Sequence, residues 1–368
     1  MGFGAEVSLE NLNKLRNRSL HVDLIRTIAM VGVILFHATG HWTISSQELN
    51  QMNLLEITSW CIVVIYQSIG AIAVPLFLML SGALLLQPQK KDETLRVFFK
   101  KRWTRIGLPF FFWSVAYFVW DFLVQKIPFS ADVILQGLLN GAYTHFWYIY
   151  VLVGLYFLTP LLRTLLANAD KALMKYFLIL WVVGVAVMPF LDLLSPFRLN
   201  GNVFAFSGYV GFFVLGTYLT TVKLRRSIIC FCMFVGITLT AFGTYVLATT
   251  GVGGNMYFFQ EYLSPTVILA AVMLFLLLLT VKPPVQQAIS SSKGNKLFKV
   301  VSENTLPIFF LHVMVLESIQ NGYFGFTLNR NILTPVIEAP LMTAIVLFTT
   351  LGVVFSLKKI PYLNKLIG

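Results

Sequence analysis

The side chains best suited to chemistry lie near the start of the chain, in His21-Val22-Asp23-Leu24-Ile25-Arg26 and in His37-Ala38-Thr39-Gly40-His41-Trp42. The residues between them are apolar. On a continuous helix Asp23 lies about 60° from Arg26, His37 about 20° and His41 about 60°. Four ionisable groups therefore share one stripe of a greasy segment. Such groups are costly at membrane depth and face a bundle interior or a wet cavity.

Arg26 and His37 are separated by about 16 Å of helix rise. A guanidinium grips phosphate through two parallel hydrogen bonds, and imidazole, titrating near neutrality, is the usual general base. An extended pantetheine arm is of comparable length to that separation. A coenzyme A with its phosphates at Arg26 would present its thioester near His37. The bland alternative makes Asp23 and Arg26 a local pair and His37 a satisfied buried polar group; clustering of four such residues favours a site.

Other stretches add to this. Arg102 and Arg105, in Lys100-Lys101-Arg102-Trp103-Thr104-Arg105, share a helix face and can grip a second phosphate, beyond anchoring the segment. Ser81-Gly82, after Pro75, allows close approach of a helix or a ligand, and Ser81 is taken as a contact for acyl-coenzyme A. His145-Phe146-Trp147-Tyr148 opens an apolar segment at its outer end, as an aromatic belt or as the doorway for an outer substrate. In a later segment Thr305 and His312 share a face, whereas Glu317 points elsewhere and is expected to snorkel to the interface. The acceptor-side candidates are thus His41, His145, Trp147 and His312. No metal site is expected, and Cys61, Cys230 and Cys232 read as small buried hydrophobes.

The elements that must carry these residues are membrane helices. Of 368 residues 57% are hydrophobic and 11% charged, against roughly a quarter charged in soluble domains; mean hydropathy is +0.79. Ten apolar segments are expected, at about 22–43, 58–86 (kinked at Pro75), 106–125, 145–167, 173–193, 207–222, 227–248, 263–281, 302–320 and 339–357. The net charge of +12 does not indicate nucleic acid, because its distribution follows the membrane. With the N-terminus inside, only Lys126, Arg198 and Arg330 of the 27 Lys and Arg fall outside. That bias orients both termini toward the cytoplasm. The expected fold is an all-α polytopic bundle of about ten transmembrane helices: a polar tail at residues 1–19, then one transmembrane domain over 20–368. No cleavable signal is expected.

The chain resembles the acyltransferase-3 family of integral membrane acyltransferases. The resemblance rests on Asp23-x-x-Arg26 with ten residues between Arg26 and His37, Pro75-x-Phe77-x-x-x-Ser81-Gly82, and Arg102-x-x-Arg105. It also rests on His145-Phe146-Trp147-Tyr148, Leu158-Thr159-Pro160, Gly208-Tyr209-x-Gly211-Phe212-Phe213-x-Leu215-Gly216, and Ser302-x-x-Thr305-x-x-Ile308-Phe309-Phe310-Leu311-His312. It implies transfer of an acyl group, often acetyl, from cytoplasmic acyl-coenzyme A to a sugar hydroxyl at or beyond the outer face. The closest type is the stand-alone bacterial O-acetyltransferase of surface-polysaccharide intermediates, in the inner membrane. His37 and Asp23 would then be catalytic, and Arg26, Arg102, Arg105 and Ser81 would hold acyl-coenzyme A as co-substrate, with no bound cofactor. The partners would be a glycan or lipid-linked sugar and membrane lipids, with oligomeric state open. Pro307, Phe309 and Val313 depart from the family pattern, so no role can rest on a Tyr hydroxyl at 309. The alternative is a proton-coupled secondary transporter with the same stripe as relay, although no internal repeat supports it.

Overall fold

The computed structural model describes residues 20–87, 93–194, 208–281, 293–323, 325, 327 and 334–368. The expected tail at 1–19, the loop at 195–206 and the basic loop after Lys282 lie outside these. In chain order the longer helices are α1 (Leu20–Ala38), α2 (Leu54–Gly70), α3 (Ala73–Leu85), α4 (Leu95–Leu123), α5 (Ala131–Asn140), α6 (Trp147–Asn168) and α7 (Lys171–Leu194). They continue as α8 (Val210–Leu219), α9 (Arg226–Thr250), α10 (Pro265–Leu279), α11 (Lys293–Glu303), α12 (Thr305–Gln320) and α13 (Pro335–Lys358), and a last turn, α14, spans Leu363–Leu366. Among the described residues there is no strand. The fold is the expected all-α bundle.

Eight helical segments are long and apolar enough to cross a membrane, and α11 with α12 makes a ninth if that pair is one span. Two of the ten expected spans take another form. The expected sixth is helical only over the ten residues of α8, too short to span alone. The expected ninth is broken: α11 meets α12 at Asn304 with an 82° bend. Pro307, in the first turn of α12, cannot donate into a continuing ladder. The second span breaks at Ala71-Ile72 just ahead of Pro75, whose ring excludes the carbonyl four residues back.

Polar side chains start several helices. Asn53 and Glu56 form a reciprocal capping box on α2, and Ser130, Asp170 and Ser264 cap α5, α7 and α10. The helix α5 stands where the sequence indicates only a loop.

The first helix is the hub, packing against α2, α3, α10, α11, α12 and α13. The helices α3 and α8 touch backbone to backbone at two glycines. A Cβ on Gly82 would lie 1.7 Å from the Phe213 carbonyl oxygen, and one on Gly216 would lie 1.9 Å from that of Met79. Glycine is required at both, as small residues are wherever membrane helices approach closely. Buried Arg163 of α6 closes the end of α3, its Nε donating to the Leu85 carbonyl at 2.7 Å. Cys230 is exposed rather than buried, on the outward face of α9.

Candidate active site

The chemistry of the chain collects around α1. Three imidazoles meet inside the bundle: His37 of α1, His145 just before α6 and His312 of α12. Ring centroids are 5.2 Å apart for His37–His312, 5.2 Å for His145–His312 and 6.1 Å for His37–His145. His145 and His312 are buried, with 2% and 0% of their surface exposed. His145 therefore does not sit at a surface doorway. The chain reaches it from α5, which turns back at Gly141 (φ 108°) and places Tyr143 and the short helical turn Thr144–Phe146 inward.

The tautomer of His312 follows from its partner. Its Nδ1 lies 2.7 Å from the Phe309 carbonyl oxygen, which only accepts, so Nδ1 carries the hydrogen. Nε2 is left with a lone pair, buried and without a hydrogen-bond partner. Neither nitrogen of His145 makes a hydrogen bond of ordinary geometry, although the Phe310 carbonyl is near enough to act on the ring. Tyr117 of α4 supports the cluster from behind. Its hydroxyl donates to the Phe310 carbonyl (2.8 Å) and accepts from the Met314 N–H (3.2 Å), and its ring lies 5.5 Å from His145. Among the described residues no group of three His, Cys, Asp or Glu is arranged to hold a metal ion. The cluster is equipped to take up and pass protons.

His37 faces a chamber of about 20 Å³, lined also by Phe36, His145, Trp147, Tyr148, Tyr262 and Phe309. That is room for about one water. On the side of the α1 N-terminus, Tyr148 and Phe309 also wall a cavity of about 550 Å³. This cavity holds Arg26, Arg102, Arg105 and Lys365 among its lining residues, together with Ser81, Ser302, Glu303 and Thr305. On the other side, Phe36 and Tyr262 also wall a vestibule of about 380 Å³. The chamber lined by His37 thus shares one pair of aromatic side chains with each of the two larger cavities.

The arginine positions are built. Between Trp103 and Gly107 α4 winds as a π-helix, a geometry frequent at functional sites. Half-buried Arg102 lies over Phe98 (5.3 Å) and Tyr156 (5.7 Å), and its Nε is buried without a partner. Arg105 is exposed on the same cavity. The structure therefore brings together Arg26, Ser81, Arg102 and Arg105 at one end, and His37, His145, Trp147 and His312 at the other.

Two expected members of the stripe lie elsewhere. Asp23 accepts a 2.6 Å hydrogen bond from Ser302 of α11, about 21 Å of rise from His37 on the same helix. It cannot partner that imidazole and instead ties α1 to the bent span beside the arginine cavity. His41 leaves the stripe because α1 ends at Ala38 and Gly40–Trp42 tightens to a 3₁₀ turn. Its Nε2 lies 3.0 Å from the Glu338 carboxylate, and its Nδ1 accepts from Gln320 at 3.1 Å. Glu317 does not snorkel either; it accepts hydrogen bonds from Tyr143 and from Gln125.

Sequence reasoning missed Tyr117, Lys365, Phe36, Tyr262 and the residues of the vestibule. Of these only Lys365 carried a signal, as a late basic residue; the others gain their roles from long-range packing.

The model of the family described as an acyltransferase domain matches residues 20–358. No curated protein matches the chain, nor does any solved structure.

Proposed function

The chain belongs to this acyltransferase-3 family of membrane acyltransferases, and on that premise we propose that it moves an acetyl group from acyl-coenzyme A to a sugar hydroxyl. Family membership supports acyl transfer by a multi-pass membrane protein and sets aside the transporter alternative. The donor, the acetyl group and the acceptor are the present reading. The observation that carries it is that the arginine-lined cavity lies next to the chamber lined by His37, the two sharing Tyr148 and Phe309 as a wall.

In this reading Arg26, Arg102 and Arg105 hold the donor's phosphates, and the pantetheine arm runs up α1 beside Ser81. The thioester carbon comes to rest near His37. An acceptor hydroxyl arrives from the vestibule, and the His37 imidazole takes its proton as the new oxygen–carbon bond forms. The carbon–sulfur bond then breaks, and the thiolate takes the proton to leave as coenzyme A. His312, with its Nε2 lone pair inside the cluster, and His145 spread that proton. Closing such a chamber to water strengthens its electrostatics and suppresses thioester hydrolysis.

The asymmetry of Lys and Arg supports a cytoplasmic basic end; in this reading the membrane is a bacterial inner membrane and the vestibule faces outward. The acceptor class is a surface-polysaccharide or lipid-linked sugar. The test is transfer of labelled acetyl from acetyl-coenzyme A in membranes carrying the protein. His37→Ala should lower it by at least about 100-fold, as loss of a general base does; full activity in that variant refutes the assignment.

A further inference from the structure

The vestibule beyond the chamber, the entry route of the acceptor in the proposed reaction, has walls to which that reading gives no role. Its walls include Gln67, Tyr209, Tyr257, Gln260, Glu261 and Tyr262. At about 380 Å³ it lies within the range of small-ligand sites.

Gln260 is the informative residue. It is only 6% exposed, yet its Nε2 has no hydrogen-bond partner. Its backbone is fixed by donation to the Tyr257 carbonyl at 2.8 Å, so the side chain is presented from a rigid turn. A buried amide left unpaired costs free energy, and such groups mark a place where a ligand or ordered water completes the bonding.

The surrounding groups are already held in place. The Tyr257 hydroxyl donates to the Ile44 carbonyl and accepts from the Ile44 N–H, each at 3.0 Å. Asn255 donates to one oxygen of exposed Glu261 at 2.7 Å, orienting the carboxylate. Gln67 donates to the Thr39 carbonyl at 3.3 Å. Tyr262 stacks on Trp147 (5.3 Å, 25°), which in turn lies 5.7 Å from Tyr209. The cavity thus offers aromatic faces, an unpaired amide donor and an oriented carboxylate acceptor.

None of its lining residues is Lys, Arg or His. The one charge is negative, so a phosphate or carboxylate would be repelled here. We infer that the vestibule binds the acceptor as an uncharged, polyhydroxylated sugar ring, with Gln260 donating to one of its oxygens and Glu261 accepting from its hydroxyls. Any phosphate of a lipid-linked acceptor then lies outside the cavity. Phe36 and Tyr262 are shared with the chamber, so a ring seated here lies next to the space that His37 lines. This assignment names the acceptor half of the proposed acetyl transfer and rests on that reading for its role, although binding is measurable without turnover.

The test uses purified full-length protein in lipid nanodiscs and ligand-detected NMR. The probes are methyl β-D-glucopyranoside and its charged counterpart, glucose 6-phosphate. The neutral glycoside should bind, the phosphorylated sugar at least about tenfold more weakly. Gln260→Leu and Glu261→Gln should each weaken glycoside binding about tenfold while leaving retention of tritiated coenzyme A unchanged. Equal binding of the two sugars, no binding of the glycoside, or undiminished binding in both variants overturns the assignment. So does a parallel loss of glycoside and coenzyme A binding, which marks a misfolded variant set rather than an acceptor contact. If the glycoside binds as described but labelled acetyl is never transferred by the unaltered protein, the acyl-coenzyme A reading fails and the sugar site stands.

Discussion

If the arginine-lined cavity holds the nucleotide end of acyl-coenzyme A, then removing an arginine and removing the nucleotide are the same perturbation made from opposite sides. The structure gives the two α4 arginines different weights. Arg102 is half-buried, its guanidinium held over Phe98 and Tyr156 and its Nε without a protein partner. A hydrogen bond from such a charged group contributes about 1.5–3 kcal/mol. At 1.36 kcal/mol per factor of ten, Arg102→Ala should lower kcat/KM for acetyl-coenzyme A roughly 10- to 150-fold. Arg105 is exposed, so solvent screening holds its contribution to at most about 1 kcal/mol, and Arg105→Ala should cost no more than about fivefold. The assay compares each variant on acetyl-coenzyme A and on acetyl-pantetheine, which lacks the nucleotide and its phosphates. On the truncated donor the unaltered protein should be poor, and Arg102→Ala should add nothing further. If Arg102→Ala lowers activity by the same factor on both donors, Arg102 does not hold phosphate. Its effect then passes through the rings it packs on, and the placement of the donor is wrong.

Three further outcomes follow from the packing. Gly82→Ala drives a Cβ into the Phe213 carbonyl and must part α3 from α8, whereas Gly154 has nothing within 4 Å; size-exclusion profiles in detergent should show loss of folded protein for Gly82→Ala and none for Gly154→Ala. Tyr117→Phe removes the hydroxyl that serves both the Phe310 carbonyl and the Met314 N–H, and should lower stability by about 1–2 kcal/mol in thermal or denaturant unfolding; no change would show that the turn carrying His312 satisfies itself. Burial opposes ionisation of Glu93, but hydrogen bonds and charge from Lys101 and Arg163 outweigh it and hold the carboxyl below its ordinary range. A depressed carboxylate stabilises fully above its unfolded value, near 4.5, and loses that contribution as pH falls through the folded value. Thermal unfolding followed from pH 7 down to about pH 2 should therefore show a loss of stability below about pH 4.5 that shrinks in Glu93→Gln.

What was legible in the sequence was whatever follows from one helix at a time. Hydropathy located the helices, the Arg26–His37 spacing held because α1 is unbroken between them, and Arg102 and Arg105 share a cavity although their helix winds as π. Errors came where the backbone departs from a continuous α-helix. His41 was extrapolated past the end of α1 at Ala38, and the expected ninth span ignored what Asn304 and Pro307 do together. Asp23 lies near His37 in helix angle but about 21 Å of rise away from it, a separation the angle does not show. His145 looked like a surface residue because nothing in its own segment reveals that Tyr117, Phe309 and His312 close around it. The vestibule was invisible for the same reason. Gln67, Tyr209 and Gln260 lie far apart in the chain and share no periodicity.

The two aromatic pairs explain why a membrane helix can serve as the active-site wall. A bilayer-spanning passage open at both ends would leak, and a thioester exposed to water in such a passage would be lost to hydrolysis. Here three cavities lie in succession, separated by Tyr148 with Phe309 and by Phe36 with Tyr262, and the middle one has room for about one water. In the proposed reaction the groups would meet only where each substrate displaces its own pair of rings. Phe309, where the family pattern favours Tyr, fits this role, because a wall needs the ring and not a hydroxyl. The histidine cluster then has to solve only a local problem. In the proposed reaction it removes one proton from an acceptor in an enclosed site, where a charge is expensive and the unpartnered Nε2 of His312 offers a lone pair. On the proposed reading neither donor nor acceptor crosses the membrane, and the acyl group alone passes His37.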